Sequence, residues 1–258
     1  MPNCKTRYIE VSNYSMKTNN KIVTFIKAID KQYYDAFINE GQLCMNTVQW
    51  FRDYEKEDSN IGDEFEGSRI ACGKNFTVSI ADPIDSCKTR KELDQKLNSA
   101  NWKTLGKGIN LKQFNSNENG NIFSMYTVSV DNNESLNEYL VSRRFAKEFD
   151  NHRFVIFLEP IKFVSKIESA FSAQGKKLTY GIVKYYPLNE EIIFNLTNFH
   201  KPDKYEYQNE FRLMVDDGDA TQQILRIGNI EDLCMEIDVN KRYSIKVIDA
   251  DYFSVDQI

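Results

Sequence analysis

The strongest constraint on the fold is a series of short apolar, aromatic and β-branched runs in the second half of the chain. Residues 153–158, 180–186, 205–215, 234–239 and 243–248 each read as a strand. Pro187 stops the second run, and the turn Asp216-Asp-Gly-Asp219 stops the third. Short turns rather than crossover helices punctuate them, which predicts an α+β protein and not a doubly wound parallel sheet. Residues 162–171 read as a strand or a short helix.

The first half is more mixed. Residues 21–29 read as a buried strand. Asp30 then caps a helix whose Tyr34, Phe37 and Ile38 share one face and which Gly41 closes. Residues 121–130 give a second strand with hydroxyls inside it. Ser135-Leu-Asn-Glu138 has the form of a capping box and predicts a helix through Leu136, Tyr139 and Leu140 to Arg143, Arg144 and Phe149. A similar box at Thr89-Arg-Lys-Glu92 predicts a short helix with Leu93 and Leu97. Residues 8–11 suggest an edge strand or an arm, 75–80 a weak strand, and 98–120 loops. The expectation is one domain spanning 1–258, with a loop and helix insertion at 82–120.

Composition narrows the class. A chain of 258 residues, 41% hydrophobic and with 17 Phe and 14 Tyr, has ample material for a packed core. Its net charge of −5 argues against a strongly electrostatic nucleic-acid binder, while leaving room for a local basic groove. No apolar run reaches the length of a membrane span, and the first residues lack a signal-peptide core, so a cytoplasmic protein without a membrane partner is expected. Five scattered cysteines without a Cys-x-x-Cys pair predict reduced thiols, not a disulfide framework or structural zinc. With only His152 and His200, a His-rich metal site is excluded. No Gly-x-Gly-x-x-Gly, Gly-Lys-Ser/Thr phosphate loop or Gly-x-Ser-x-Gly elbow occurs, leaving Rossmann dehydrogenases, P-loop NTPases and serine hydrolases without support.

Three stretches carry candidate chemistry. In the 205–215 run, the period of two places Gln208, Glu210 and Arg212 on one face, with Tyr207, Phe211 and Leu213 on the other. This is either a salt-bridged polar face on a surface strand or a Gln-x-Glu pair on the floor of a cleft. The acidic stretch 53–66 holds Asp53, Glu55, Glu57, Asp58, Asp63, Glu64 and Glu66, bracketed at its end by Gly62 and Gly67. It is either a solvated loop or a carboxylate cluster for a divalent ion. Arg143 and Arg144 are either solvent-exposed or in contact with an anionic ligand. His200, in a basic loop, is open to the same two readings.

Gly41-Gln-Leu-Cys-Met-Asn46, Phe51-Arg52, Gly62-Asp-Glu-Phe-Glu-Gly67 and Tyr207-Gln-Asn-Glu-Phe-Arg-Leu213 together resemble a group of bacterial and phage proteins of uncharacterised activity. That group shares a late Tyr-x-x-Glu-aromatic-Arg strand. Within it, Tyr207-Gln-Asn-Glu-Phe-Arg212 is similar to the catalytic-glutamate strand of ADP-ribosyltransferases. In their Arg-Ser-Glu class an early strand supplies a basic residue, a middle strand Phe-x-Ser-Thr-Ser, and a late strand Gln/Glu-x-Glu. Lys27, Phe123-Ser-Met-Tyr126 and Gln208-Asn-Glu210 follow that order, with Lys in place of Arg and Ser124 alone kept of the middle triplet.

The resemblance implies an ADP-ribosyltransferase-like fold of split mixed and antiparallel sheets with flanking helices, and NAD as the substrate. It implies that Glu210 stabilises the sugar cation and holds a ribose hydroxyl, while Ser124 anchors the neighbouring strand. Lys27 with Arg143 or Arg144 would hold the pyrophosphate, and Phe51 or Tyr126 would stack on nicotinamide. Gln208 would face the acceptor, a nucleic-acid base or a protein side chain. A toxin or phage-defence effector, with an antitoxin or other regulatory protein as partner, fits this reading. Two alternatives stand beside it: an inactive binding or regulatory module on the same scaffold, and a metal-dependent nuclease using the 53–66 stretch.

Overall fold

The computed structural model describes residues 21–59, 61–72, 76–81, 89, 91, 95, 102–109, 114–115, 120–130, 135–187, 192–194, 196–215, 221–249 and 252–258. The chain divides into two compact units, one of Met1–Glu66, Asn117–Tyr186 and Phe199–Ile258, the other of Gly67–Ser116 and Pro187–Asn198.

The first unit is α+β and is built on a large antiparallel sheet. In chain order its strands are β1 (Lys21–Asp30), β2 (Gln42–Thr47), β3 (Asn121–Val130), β4 (His152–Phe157), β5 (Leu178–Ile182), β6 (Glu210–Val215), β7 (Gln223–Arg226) and β8 (Cys234–Ile237). Six of them run in the order β5-β6-β3-β1-β4-β8, while β2 joins β3 and β7 joins β2. Its helices are α1 (Tyr34–Glu40), α2 (Val48–Tyr54), α3 (Arg143–Glu148) and α4 (Pro160–Ser172).

Both faces of the sheet are covered, and the alternation along each strand divides its side chains between two layers. In β4, Val155 and Phe157 enter one layer while Phe154 and Ile156 enter the other. The first layer is closed by Phe37 of α1 and by Phe163, Ile167 and Phe171 of α4, spaced to share one helical face. Residues 162–171 are therefore helical. The second layer is closed by Phe145 of α3 and by Tyr243, Ile245 and Phe253 of a separate sheet. That sheet pairs Tyr243–Asp249 with Tyr252–Gln257 and with Ser135–Glu138. Burying each such side chain contributes about 1.5–3 kcal/mol.

Pairing between β1 and β3 ends at Ile26–Tyr126. Beyond that pair β1 continues only against β4, through Asp30–His152, while β3 continues against β6 and reaches β2 at Asn46–Ile122. The sheet is thus split between the end of β1 and the start of β3.

The expected helix forms, and Gly41 ends it with a left-handed backbone at φ 57°. Asp30 caps the 3-10 turn Lys31–Tyr33 that leads into α1, accepting from Gln32 N at 2.9 Å, while α1 itself follows Tyr33 without a side-chain cap. Other expectations are corrected. Residues 205–208 are not strand. A 3-10 helix covers Asp203–Gln208, and Asn209, at φ 38°, redirects the chain so that β6 starts at Glu210. Asn tolerates this conformation better than other non-glycine residues, and its side-chain amide donates to Thr127 O at 2.7 Å. Ser135 does not open a helix, because Ser135–Glu138 is drawn into strand pairing; Ser142 caps α3 instead, accepting from Phe145 N at 3.1 Å. Residues 243–248 are strand as expected, within the separate sheet.

The second unit holds Ser68–Cys72 between Ile192–Phe194 and Phe114–Asn115, and a hairpin-like pair of Phe76–Ala81 with Trp102–Ile109. The loop expectation for 98–120 is corrected at Trp102–Ile109, which is strand. Residues 8–11, Leu93, Leu97 and the 216–219 turn lie outside the described residues. No helix among the described residues is long and apolar enough to cross a membrane.

Candidate active site

The split in the sheet opens a cavity of about 590 Å³ within the first unit, in the range of small-molecule sites. One wall comes from the end of β1 with Lys27, Ile29 and Asp30, and the facing wall from β3 with Phe123, Ser124 and Tyr126. Helix α2 supplies Trp50, Phe51 and Tyr54, and Glu210 with Gln208 and Lys201 forms a charged end. Six of the eight residues predicted from the sequence therefore share one cavity: Lys27, Phe51, Ser124, Tyr126, Gln208 and Glu210. Arg143 and Arg144 do not line it.

Strand register explains how Glu210 meets Ser124. Glu210 lies opposite Tyr126, and Arg212 opposite Ser124, so Glu210, Arg212, Tyr126 and Ser124 project from the same face. Phe211, Leu213 and Val215 project from the other face into the first core layer. The carboxylate is almost fully buried, and three donors converge on it. Ser124 Oγ and Arg212 Nε donate to Oε1 at 2.5 and 2.8 Å, and Lys201 Nζ lies 2.9 Å from Oε2. A carboxylate has about four acceptor positions, and these contacts fill three of them. Burial alone would raise the Glu210 carboxyl. Arg212 and Lys201, with the hydrogen bonds from Arg212 and Ser124, overcome that and hold it well below its usual range.

Arg212 is the keystone of the charge balance. Behind Glu210 its Nη1 and Nη2 meet the two carboxylate oxygens of Glu66 at 2.6 and 3.0 Å, with both side chains buried. The end of the acidic 53–66 stretch is thus drawn inward. Arg52 Nε donates to Glu66 O at 2.6 Å, and Tyr205 OH donates to Glu55 Oε2 at 2.7 Å. Asp63 is buried too, and its carboxyl is pushed up to about 7, first by burial and then by Glu66. Among the described residues no group of three or more His, Cys, Asp or Glu is placed to hold a metal ion.

Gln208 reaches the cavity by a route the sequence did not reveal. It ends the 3-10 helix, and its Oε1 accepts from Lys201 Nζ at 3.0 Å while Nε2 donates to Tyr207 OH at 3.3 Å. Lys27 Nζ donates to Ser124 O at 2.7 Å and stands 4.2 Å from the centre of the Phe123 ring. Burial lowers the Lys27 ammonium to about 8, against the raising influence of Glu210. On α2, Thr47 caps the helix, accepting from Trp50 N at 3.0 Å, and Trp50 stacks on Tyr54 at 4.3 Å with Phe51 edge-on to it.

Arg144 is committed elsewhere. It stacks over Tyr207 at 3.7 Å and pairs with Glu148 one helical turn away, while Arg143 stands over Tyr139. His200 flanks Lys201 on the short strand His200–Pro202 without lining the cavity, whereas His152, at the start of β4, does line it. Sequence reasoning missed Lys201, Trp50 and Tyr54. Only the basic character of the loop at 199–204 hinted at Lys201; the i, i+4 spacing of Trp50 and Tyr54 was a visible signal for a shared aromatic face. No protein-family model matches this chain, and neither a curated protein nor a solved structure matches it.

Proposed function

We propose that the protein is an NAD-consuming ADP-ribosyltransferase, of the kind that serves as a toxin or phage-defence effector. One observation carries this reading: three neighbouring strands, β1, β3 and β6, bring Lys27, Ser124 and Glu210 to a single cavity at the split in their sheet. That is the basic–Ser–Glu order on early, middle and late strands that the sequence resemblance requires. The parting of β1 from β3 also supports an ADP-ribosyltransferase-like split sheet.

The chemistry follows from the charges. Breaking the bond between ribose C1 and the nicotinamide nitrogen leaves positive character on the sugar, and nicotinamide departs with the bonding electron pair. An ionised Glu210 stabilises that charge and accepts a hydrogen bond from a ribose hydroxyl, an interaction that strengthens toward the transition state. Lys27 supplies a cation for the pyrophosphate, and Phe51 and Tyr126 supply ring faces for nicotinamide. The acceptor then bonds to C1 and gives up its proton. Gln208 stands beside Glu210, and the resemblance associates a Gln there with amide or nucleobase acceptors.

The test is purified wild type and Glu210→Gln incubated with labelled NAD, together with RNA, DNA and cell extract. Wild type should release nicotinamide and transfer label, and the substitution should lower turnover by about 100-fold or more, as loss of a transition-state charge contact does elsewhere. Wild type that is stabilised by NAD but never turns it over would make the chain an inactive binding module. Neither turnover nor stabilisation would sink the NAD reading altogether.

A further inference from the structure

We propose that Lys201 is a positioning residue that locks the acceptor-facing amide of Gln208 onto the catalytic carboxylate of Glu210. This rests on the transferase reading and adds to it a residue that no motif in the chain singled out. The ammonium of Lys201 bridges the two groups, 3.0 Å from Gln208 Oε1 and 2.9 Å from Glu210 Oε2. Lys201 and Glu210 side chains are 5% and 4% exposed, so water does not compete for the contact.

The chemistry of the bridge fixes the amide. An ammonium only donates, so the oxygen of the Gln208 amide must face Lys201 and the nitrogen must face the other way. A flipped amide would set two donors against each other. The amide carbonyl is thus held by Lys201, and the nitrogen on the other side donates to Tyr207 OH at 3.3 Å. A carbonyl engaged in this way disfavours a donor-only guanidinium as acceptor. Gln208 sits on the 3-10 helix and Glu210 on β6, with Asn209 turning the chain between them. Nothing in strand geometry keeps the two side chains in register; the bridge does.

The same ammonium serves Glu210 as a counter-ion. The other groups that face this carboxylate are Arg212 on its own strand, with Glu66 behind it, Ser124 on β3, Lys27 on β1 and Tyr185, whose hydroxyl accepts from Glu210 N at 2.9 Å. Arg212 is shared with Glu66, whereas Lys201 donates to both residues of the Gln-x-Glu pair, with the Tyr205 ring 5.0 Å away and the buried Asp63 carboxyl close enough to feel its charge. Loss of Lys201 should uncouple transfer from NAD cleavage as well as shift the ionisation of Glu210.

Wild type, Lys201→Met and Lys201→Arg are compared in two ways: carboxyl carbon-13 titration of Glu210, and the ratio of transferred label to released nicotinamide. In Lys201→Met, Glu210 should titrate about one to three pH units higher, the effect of removing one close opposite charge. The transfer-to-release ratio should fall toward the ~100-fold loss that misplacement of a reacting group can cause. Lys201→Arg should keep Glu210 low and recover part of the ratio; it also serves if the Met variant does not fold. An unchanged Glu210 titration, or a transfer-to-release ratio equal to wild type, overturns the proposal. If wild type releases no nicotinamide, the transferase reading fails, and the titration by itself decides whether Lys201 holds Glu210.

Discussion

Two arginine–carboxylate clusters in the first unit use the same chemical parts in opposite settings. At the surface, Arg153 on β4 makes a two-point contact with Glu236 on β8, Nε to Oε1 at 2.7 Å, and lies over the Tyr34 ring. In the interior, Arg212 makes a two-point contact with Glu66 and reaches Glu210, with Lys201 completing the set. The Arg153 and Glu236 side chains are 36% and 44% exposed, while those of Arg212 and Glu66 are 1% and 0% exposed. Water screens the first cluster and leaves it worth little. The second has given up its hydration, so every member depends on the others. A protein that only needed to tie strands together would do as well with the first kind. Burial separates the two: the interior cluster reaches the cavity at the split through Glu210 and Lys201, whereas Arg153 and Glu236 border a different groove with their side chains in water.

The largest expected effect comes from breaking the interior cluster. Arg212→Met leaves Glu66 and Glu210 buried without their shared cation and should lower stability by about 3–5 kcal/mol, read as a fall in the urea midpoint at unchanged slope. Adding Glu66→Gln to Arg212→Met should recover part of the loss, since the cost lies in the uncompensated charge. A midpoint within experimental error of wild type would mean that the cluster is wetter than its burial implies.

The same contrast explains what could be read from the sequence. β1, β3, β4 and β6 were legible because strands covered on both faces carry near-continuous apolar, β-branched and aromatic runs, a local pattern. Glu210 stood out because a carboxylate inside such a run needs a reason. The 3-10 helix at Asp203–Gln208 was not legible, since aromatic residues there are buried by tertiary contacts such as Tyr205 to Glu55, 150 positions away. The Ser135 box failed for a similar reason: strand partners at 243–246 outcompeted a local capping motif. Of the charge cluster, the sequence offered Glu210 with its neighbour Arg212, whereas Glu66 lies 146 positions from Arg212 and Lys201 is folded back onto the pair by the 3-10 helix between them. Burial of Glu66 turned a stretch that reads as a solvated acidic loop into part of the site's support.

A smaller effect should appear on the other side of the cavity. Lys27 has desolvation against it and only Glu210 and Cys44 favouring its charge, so its ammonium titrates near 8. A group that must be charged to hold a pyrophosphate loses that charge as pH rises through this value. NAD affinity measured by calorimetry should therefore weaken above pH about 8, by roughly tenfold for one lost charge-assisted contact. Lys27→Arg, which stays protonated throughout, should flatten the profile. A wild-type profile already flat across that range would remove Lys27 from the ligand.

The smallest effect belongs to the surface cluster, and it is the sharpest check on the contrast. Arg153→Ala removes a two-point contact to Glu236 and a stacking contact on Tyr34, yet both partners return to water when it goes. The loss should stay within about 1 kcal/mol and shrink further at high salt, where exposed pairs are screened. Turnover should be unaffected, because Arg153 does not line the cavity at the split. A cost comparable to that of Arg212→Met would show that joining β4 to the edge strand β8 matters as much as neutralising buried charge. Exposure would then no longer explain the difference between the two clusters.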